Sequence, residues 1–294
     1  MRKMMIVGLV GASLGLASCG AQASIDQAVS SLGSSPDLQL HFTGSASGPD
    51  AAQVQKVLST LSLDMNYSNP SGAALSQSSG TANAEILVNA GTQTLADVRV
   101  VDSNLYVLVN VSAVADISGV ALPASQVASL QLILGGRWFE LSKSLLTSIA
   151  PAPSATSTAQ AAKVAAAERT ILDDLSTLIA NTAYTTLPNG GYSQTGTLAS
   201  VVKAVLPTIQ SLSGSTLPST TVKGNYTLTV TASGSNATGG SISVTAPSGV
   251  TGQGNDTVGL NVTVAHASLS IVAPTGATII TPSLFQGLLS QAGG

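Results

Sequence analysis

Apolar and hydroxyl-bearing side chains alternate along the last quarter of the chain, and this alternation limits the folds that the chain can adopt. After Val222, Val, Leu, Ile or Tyr occupies every second position in three runs, and Thr, Ser, Asn or Gly stands between them: 226–231, 241–245 and 257–264. Successive side chains of a strand point to opposite faces of a sheet. The runs therefore predict antiparallel strands with one apolar and one hydroxyl-rich face, a sheet covered on one side and wet on the other. Leu269 and Ile271 continue the series, which Pro274 ends.

Further strands are predicted earlier in the chain. Alternation starts at Asp37, where Leu38, Leu40 and Phe42 face one way. Runs rich in Val, Leu and Ile follow at 83–89, 94–101 and 104–111, and Asp102-Ser103 is a good turn between the last two. Gly135-Gly136 predicts a turn that leads into a short bulky strand over 137–141.

Helical spacing of apolar residues predicts helices between these strands. The predicted helices are a short one at 25–32, one from Pro49-Asp50 to about Leu61 after a flexible break at 44–48, a long one over 160–181, and one over 196–212 that Pro207 bends or breaks. Strands, then helices, then strands again form an α+β pattern. We therefore predict an α+β fold with an antiparallel sheet whose apolar face is covered by the central helices.

The N-terminus has the features of a secretion signal. Arg2 and Lys3 precede an uncharged apolar segment that ends at Ala17, which is shorter than the roughly 20 residues that a membrane span needs. Leu16-Ala17-Ser18-Cys19 resembles the bacterial lipobox, in which a diacylglycerol is attached to the cysteine and the chain is cut before it. Cys19 is the only cysteine, so it has no disulfide partner within the chain.

These features predict a signal peptide at 1–18, a lipid attachment site at Cys19 and a short tether over 19–24. Two or three acyl chains on one cysteine suffice for stable anchoring, whereas a single chain is marginal. We expect the chain to be held at the cell membrane on its extracytoplasmic side. The alternative is an ordinary secretory peptide that happens to contain a cysteine.

Composition excludes several classes of function. Charged residues make up 8% of the chain, against about 25% in typical soluble domains. Removal of residues 1–18 leaves 276 residues, and the loss of Arg2 and Lys3 changes the net charge from −3 to −5. No basic cluster is present, which argues against nucleic-acid binding. Acid unfolding is driven by protonation of carboxylates and by repulsion among cations, so a chain with few charges would suit an acidic exterior. A compositional bias of the whole genome would give the same low charge.

Candidate residues for catalysis are few. His41 and His266 lie on strand-like segments away from any metal-type spacing, and adjacent Asp173 and Asp174 fit a solvated helix face better than a paired acid and base. Nucleophile-elbow and phosphate-binding motifs do not occur. Trp138, the only tryptophan, fits a core or sheet-edge position better than a ligand mouth. We expect no enzyme, no cofactor and no catalytic or metal site.

Several short motifs together resemble a known family. The lipobox, the Leu105-Tyr106-Val107 strand, the Gly136-Arg137-Trp138 turn, the central helices and the closing strands are similar to actinobacterial lipoproteins of the LppX/LprG type. The run 280–289 is similar to their short terminal helix. These proteins share the LolA-like fold of the Lol lipoprotein carriers, a strongly curved antiparallel half-barrel closed by helices around an apolar cavity.

The resemblance implies one LolA-like domain over 25–294 and a function in binding or carrying the acyl chains of a lipid or lipoglycan. Its alternative is a non-catalytic structural or adhesive cell-surface lipoprotein whose sheet packs on a filled core. A continuous apolar cavity between sheet and helices would favour lipid carriage, and a close-packed interior would contradict it.

Overall fold

The computed structural model describes most of the chain after residue 26. The described residues are 27–28, 30–78, 82–118, 131, 135–141, 145, 155–188, 190–213, 222–234, 236–249, 254–284 and 286. The predicted signal peptide, Cys19 and the tether lie outside them, and so does nearly all of 285–294.

Twelve strands and four α-helices lie in the described part of the chain. The strands are β1 (Asp37–Ser47), β2 (Leu61–Ser68), β3 (Asn83–Ala90), β4 (Gln93–Val101), β5 (Asn104–Val109), β6 (Phe139–Leu141), β7 (Thr185–Thr186), β8 (Tyr192–Thr197), β9 (Asn225–Ser233), β10 (Asn236–Pro247), β11 (Asn255–Ala265) and β12 (Thr278–Ile280). The helices are α1 (Ala52–Leu58), α2 (Val111–Ser118), α3 (Ala155–Ala180) and α4 (Leu198–Ser213). A 3-10 turn covers Leu75–Gln77.

The strands follow the hydrogen-bonded order β12-β6-β5-β4-β3-β2-β1-β11-β10-β9-β8-β7. The pairs from β2 to β6 and from β7 to β11 are antiparallel, whereas β12 runs parallel to β6. This confirms the prediction of an α+β fold built on a mostly antiparallel sheet.

Contacts divide the chain into two compact units. Unit 1 comprises Met1–Ser34, Thr43–Ser59 and Ala155–Val264, and unit 2 comprises Ser35–Phe42, Thr60–Ser154 and Ala265–Gly294. In unit 1, α3 packs against α4, and α4 contacts β8. In unit 2, α2 contacts β4. The prediction that 25–294 form one domain stays a prediction.

Several predicted boundaries are wrong. The supposed break at 44–48 mostly belongs to β1, which runs to Ser47, and the helix expected to reach Leu61 ends at Leu58. Leu61 instead begins β2, where it pairs with Ala90 of β3. Pairing along a whole strand edge therefore outweighs the helical spacing of a few apolar residues. Neither Val54 nor Val57 of α1 is buried.

The second helix of the middle region also differs from its prediction. Gly196 belongs to β8, and α4 begins only at Leu198 and continues through Pro207. The long helix starts at Ala155, five residues before the predicted start. Leu269 and Ile271 do not continue the strand series, because the chain leaves the sheet pairing after β11.

The turn between β4 and β5 confirms its prediction and carries backbone strain. Asp102 and Ser103 both adopt positive φ angles, of 50° and 68°. Two successive residues with positive φ form the two-residue turn that suits the twist of antiparallel strands, and glycine adopts this geometry most easily.

Replacement of Ser103 by glycine should stabilise the protein. We expect Ser103→Gly to raise the free energy of unfolding by about 0.5–1 kcal/mol, because it removes a steric penalty of roughly that size at positive φ. Denaturant unfolding of the purified protein measures the change. The matched control is Ser59→Gly, because Ser59 has φ −73° and glycine should destabilise there. Equal effects at both positions would contradict the strain argument.

Candidate functional site

The alternation of unit 1 produces one continuous aliphatic surface. Direct cross-strand partners lie on the same face of a sheet, so the register of β8 to β11 defines three rows of side chains. Row one is Leu260, Ile242, Leu228 and Gln194; row two is Val258, Val244, Tyr226 and Gly196; row three is Val262, Gly240, Val230 and Tyr192. We call these three rows the aliphatic face of unit 1.

The aliphatic face of unit 1 is unevenly covered. At the β8–β9 end, Gln194 and Tyr226 are buried. On β10 and β11, Ile242, Val258 and Leu260 keep 43%, 47% and 46% of their surface exposed. Large aliphatic side chains in adjacent positions at this exposure form an apolar patch of the kind that marks interaction sites.

The opposite face of unit 1 carries mostly hydroxyl groups, as the alternation predicted. Thr245 pairs with Thr257 across the strands, and their hydroxyl oxygens lie 2.8 Å apart. Thr195 and Thr227 repeat the arrangement on β8 and β9, at 3.3 Å. This face interacts with water through hydroxyl groups, so the aliphatic face is the candidate for an apolar ligand.

Unit 2 also has an apolar row of side chains on one face, and they are half-buried. Cross-strand register places Met65, Ile86, Val98, Val107 and Phe139 in one row across β2 to β6. Each of these five residues is neither fully buried nor fully exposed.

The other face of unit 2 carries a polar network that sequence reasoning did not find. His41 Nδ1 lies 2.5 Å from Asp64 Oδ1, and Asn89 donates to Asp64 Oδ2 at 2.9 Å. Thr94 donates its hydroxyl to Asn89 Oδ1, also at 2.9 Å. Because a carboxylate only accepts, His41 carries its hydrogen on Nδ1 in this bond. The result is a chain of hydrogen bonds across the four strands β1 to β4.

A second network on this face centres on Arg99. Its guanidinium contacts Glu85 Oε1 and Asp97 Oδ2, each at 2.9 Å, and lies 4.7 Å from the centre of the Trp138 ring. Asn66 donates to the other oxygen of Glu85 at 2.7 Å. Trp138 is partly buried beside the core cluster of Val101, Tyr106 and Ile271, in agreement with the core or edge position predicted for it.

The segment after β11 crosses this polar face as an extended strap, which we define as residues 266–277. Three of its carbonyl groups accept side-chain hydrogen bonds: Leu269 from Ser68, Ile271 from Asn83 and Val272 from Arg99. The strap leads into β12, where Thr278 donates its N–H to the carbonyl of Trp138. Polar side chains of β2, β3 and β4 thus replace the strand partners that the strap lacks.

Both histidines are exposed, but only His41 lies on a strand; His266, predicted on a strand-like segment, follows the end of β11 and begins the strap. His41 faces Asp64, and His266 Nδ1 lies 3.3 Å from the carbonyl oxygen of Asp37. Within the described ranges, no three His, Cys, Asp or Glu residues come together as a metal site would require. Asp173 and Asp174 lie on α3, and Asp173 is exposed.

A shallow cleft of about 480 Å³ lies at one end of unit 2. Its lining is mixed and carries no charge: Thr94, Leu108, Asn110, Ser112, Gln131, Gly135 and Gly136. Thr94 also ends the hydrogen-bond chain from His41. This lining differs from the aliphatic wall that acyl chains require.

Burial raises the pKa of Asp97 above its ordinary value of 3.8, since desolvation disfavours the charged carboxylate. The hydrogen bond and positive charge of Arg99 lower the pKa, but less, and the negative charge of Glu85 raises it further. A carboxyl group whose pKa is higher in the folded protein binds its proton more tightly there. It therefore stabilises the fold fully below pH 3.8, and this contribution is lost as the pH rises through the raised pKa.

The Asp97→Asn variant tests this pH dependence. As the pH falls from neutral to below 3.8, we expect the unfolding free energy of the wild type to rise relative to that of the variant. The reason is that the variant has no carboxyl group at position 97 to protonate. Denaturant unfolding at a series of pH values gives this difference. The control is Asp173→Asn, which removes one exposed carboxylate. A difference that falls or stays constant on acidification would contradict the sign of the shift.

Comparison of the chain with protein-family models finds no match, and comparison with curated proteins finds no relative. Of the helices that the structure describes, none combines the length and apolar character that crossing a membrane requires.

Proposed function

We propose that the chain is a membrane-anchored extracytoplasmic lipoprotein that binds or carries lipid acyl chains. Acyl chains on Cys19 would hold it at the cell membrane, and its ligand would be a lipid or lipoglycan. The observation that carries this proposal is the exposure of Ile242, Val258 and Leu260 on adjacent strands of the aliphatic face of unit 1.

The chemistry of this face suits acyl chains. Its exposed members are aliphatic, so they offer dispersion contacts and present no side-chain hydrogen-bonding groups to a hydrocarbon chain. Removal of apolar surface from water is favourable by roughly 25 cal/mol per Å², for the ligand as well as for the protein. A hydrocarbon ligand on Ile242, Val258 and Leu260 would therefore stabilise the complex without any directional bond.

The proposal includes a more detailed architecture for the lipid-binding domain. The resemblance to LppX/LprG-type lipoproteins and to the LolA-like carriers implies a strongly curved half-barrel that encloses acyl chains between sheet and helices. Such a carrier would be kept near its donor membrane by the lipidated Cys19. Neither catalysis nor a cofactor is needed, since sequestration of the ligand is the whole mechanism.

Native mass spectrometry of a chain that begins at Gly20 tests the proposal. Without Cys19 the protein has no anchor of its own, so any acyl chain that it retains is a ligand. We expect the wild type to carry a co-purified lipid whose fragments include fatty acids. A protein purified without bound lipid, and unable to extract lipid from vesicles, would favour the structural or adhesive alternative.

Substitution of exposed aliphatic residues locates the surface. We expect Ile242→Thr together with Val258→Thr to lower lipid binding by at least about tenfold, because burying each hydroxyl group under an acyl chain costs about 1 kcal/mol or more. The measurement is lipid occupancy at equal protein and lipid concentrations.

The matched control is Val54→Thr together with Val57→Thr on α1, since these valines are 46% and 43% exposed. We expect no loss of lipid binding from this pair. Equal losses from both pairs would show that general surface polarity, and not the aliphatic face, determines binding.

A further inference from the structure

Two buried polar atoms of unit 1 lack a hydrogen-bond partner among the residues that the structure describes. They are Gln194 Oε1 and the Tyr226 hydroxyl oxygen, and both are shut off from solvent. Gln194 is 1% exposed and Tyr226 is 5% exposed. Buried polar atoms in native proteins almost always have a partner, and a missing one costs about 1–3 kcal/mol. The two atoms belong to diagonal positions on adjacent strands, and each has the capacity to bond a polar group of a ligand.

Both atoms belong to the aliphatic face of unit 1. Gln194 ends the row that begins with Leu260 and Ile242, and Tyr226 stands in the next row, beyond Val258 and Val244. The first row thus has exposed Leu260 and Ile242 at one end and buried Gln194 at the other, and the second row has exposed Val258 on β11 and buried Tyr226 on β9. A ligand that lay along the rows would meet hydrocarbon first and polar groups at its far end.

The orientation of Gln194 is fixed by its amide nitrogen. Nε2 lies 2.8 Å from the carbonyl oxygen of Ile179 and 3.4 Å from that of Thr182. Only the NH₂ group can donate to carbonyls, so the oxygen is assigned to the other position. Gln194 Oε1 is therefore held as an acceptor that lacks a donor.

Gly196 makes room for the Tyr226 ring. A Cβ atom built on Gly196 would lie 2.4 Å from Cε1 of Tyr226 and 2.5 Å from its hydroxyl oxygen. Any other residue at 196 would push the ring away from β8. The absence of a side chain thus brings the hydroxyl group of Tyr226 over the strand that carries Gln194.

We propose that Gln194 Oε1 and the Tyr226 hydroxyl form the head-group site for a neutral single-chain amphiphile that bears a hydroxyl or amide hydrogen, with its chain on Ile242, Val258 and Leu260. This inference rests on the proposed function and specifies its ligand. A hydroxyl group has both a hydrogen to donate to Gln194 Oε1 and an oxygen to accept from Tyr226, so it complements the two unpartnered atoms. A carboxylate has no hydrogen to donate to Gln194, and burial of its charge is costly.

Access to the site requires movement of a helix. Both atoms are closed to solvent, and the C-terminal end of α3 is bonded to Gln194 through Ile179. A head group therefore enters when this end of α3 separates from β8. The two unpartnered atoms raise the free energy of the closed arrangement, which favours opening.

Photo-crosslinking on the full lipidated chain, anchored in phosphatidylcholine vesicles, tests the site. The probe is a twelve-carbon alcohol with a diazirine in mid-chain, and the competitors are dodecanol and dodecyl methyl ether at equal mole fraction in the bilayer. We expect labelling of β9 to β11, with dodecanol competing about tenfold better than the ether, because the ether cannot donate to Gln194. Tyr226→Phe should weaken competition by both compounds about tenfold.

The control is Tyr106→Phe, which changes a tyrosine that is equally buried but lies in unit 2. It should leave both competition curves unchanged. Tyr226→Phe removes an unpartnered hydroxyl, so we expect this variant to fold at least as stably as the wild type. One contrary outcome is that the probe labels the protein, the alcohol and the ether compete equally well, and Tyr226→Phe does not change the competition. That outcome would overturn the head-group site and leave acyl binding intact. No labelling above that of protein-free vesicles would overturn the proposed function, and the head-group site with it.

Discussion

The structure depends on cross-strand pairing of side chains that alternate between apolar and polar. In an antiparallel ladder the register decides which side chains become neighbours, and a shift by one residue would exchange the two faces. In unit 1 the register joins Ile242 to Leu260 and Val244 to Val258, so that aliphatic residues meet across strands. The same pairing brings Thr245 to Thr257 on the other side. The chain has few charges with which to solvate a sheet, and hydroxyl groups take that role.

The few charged residues are not spread evenly over the fold. Glu85, Asp97 and Arg99 meet on one face of unit 2, and the His41–Asp64 pair lies on the same face. They stand on neighbouring strands at alternate positions, so pairing of the strands is enough to bring them together. Arg99 joins two carboxylates, the Trp138 ring and the Val272 carbonyl of the strap. On this face, directional bonds between charged and polar side chains therefore stand beside the core cluster of Val101, Tyr106 and Ile271.

Sequence reasoning succeeded where the pattern is local. The runs that contain Leu105 to Val109 and Val258 to Val264 form strands as predicted, and Asp102-Ser103 forms the predicted turn. It failed at β2, although Leu61, Leu63, Met65 and Tyr67 alternate with polar residues, because a helix pattern was extended over the start of the strand. The Arg99 network could have been suspected from Glu85, Asp97 and Arg99 at alternate strand positions. Apart from the turn at Asp102-Ser103, which joins the paired strands β4 and β5, no pattern along the chain indicated which strands would pair.

The sequence by itself determined the class of the fold and the faces of its strands, and it is also the source of the prediction at Cys19, because periodicity and short motifs are properties of consecutive residues. Tertiary structure alone decided that Leu269 and Ile271 leave the sheet and cross it, since their bonding partners lie about 190 to 200 positions away, at Ser68 and Asn83. It also decided that Gln194 and Tyr226 are buried, with two polar atoms that find no partner among the described residues, while Ile242 and Leu260 stay exposed. Burial and hydrogen-bond satisfaction depend on what packs above a residue, and that is set by residues far away in the chain.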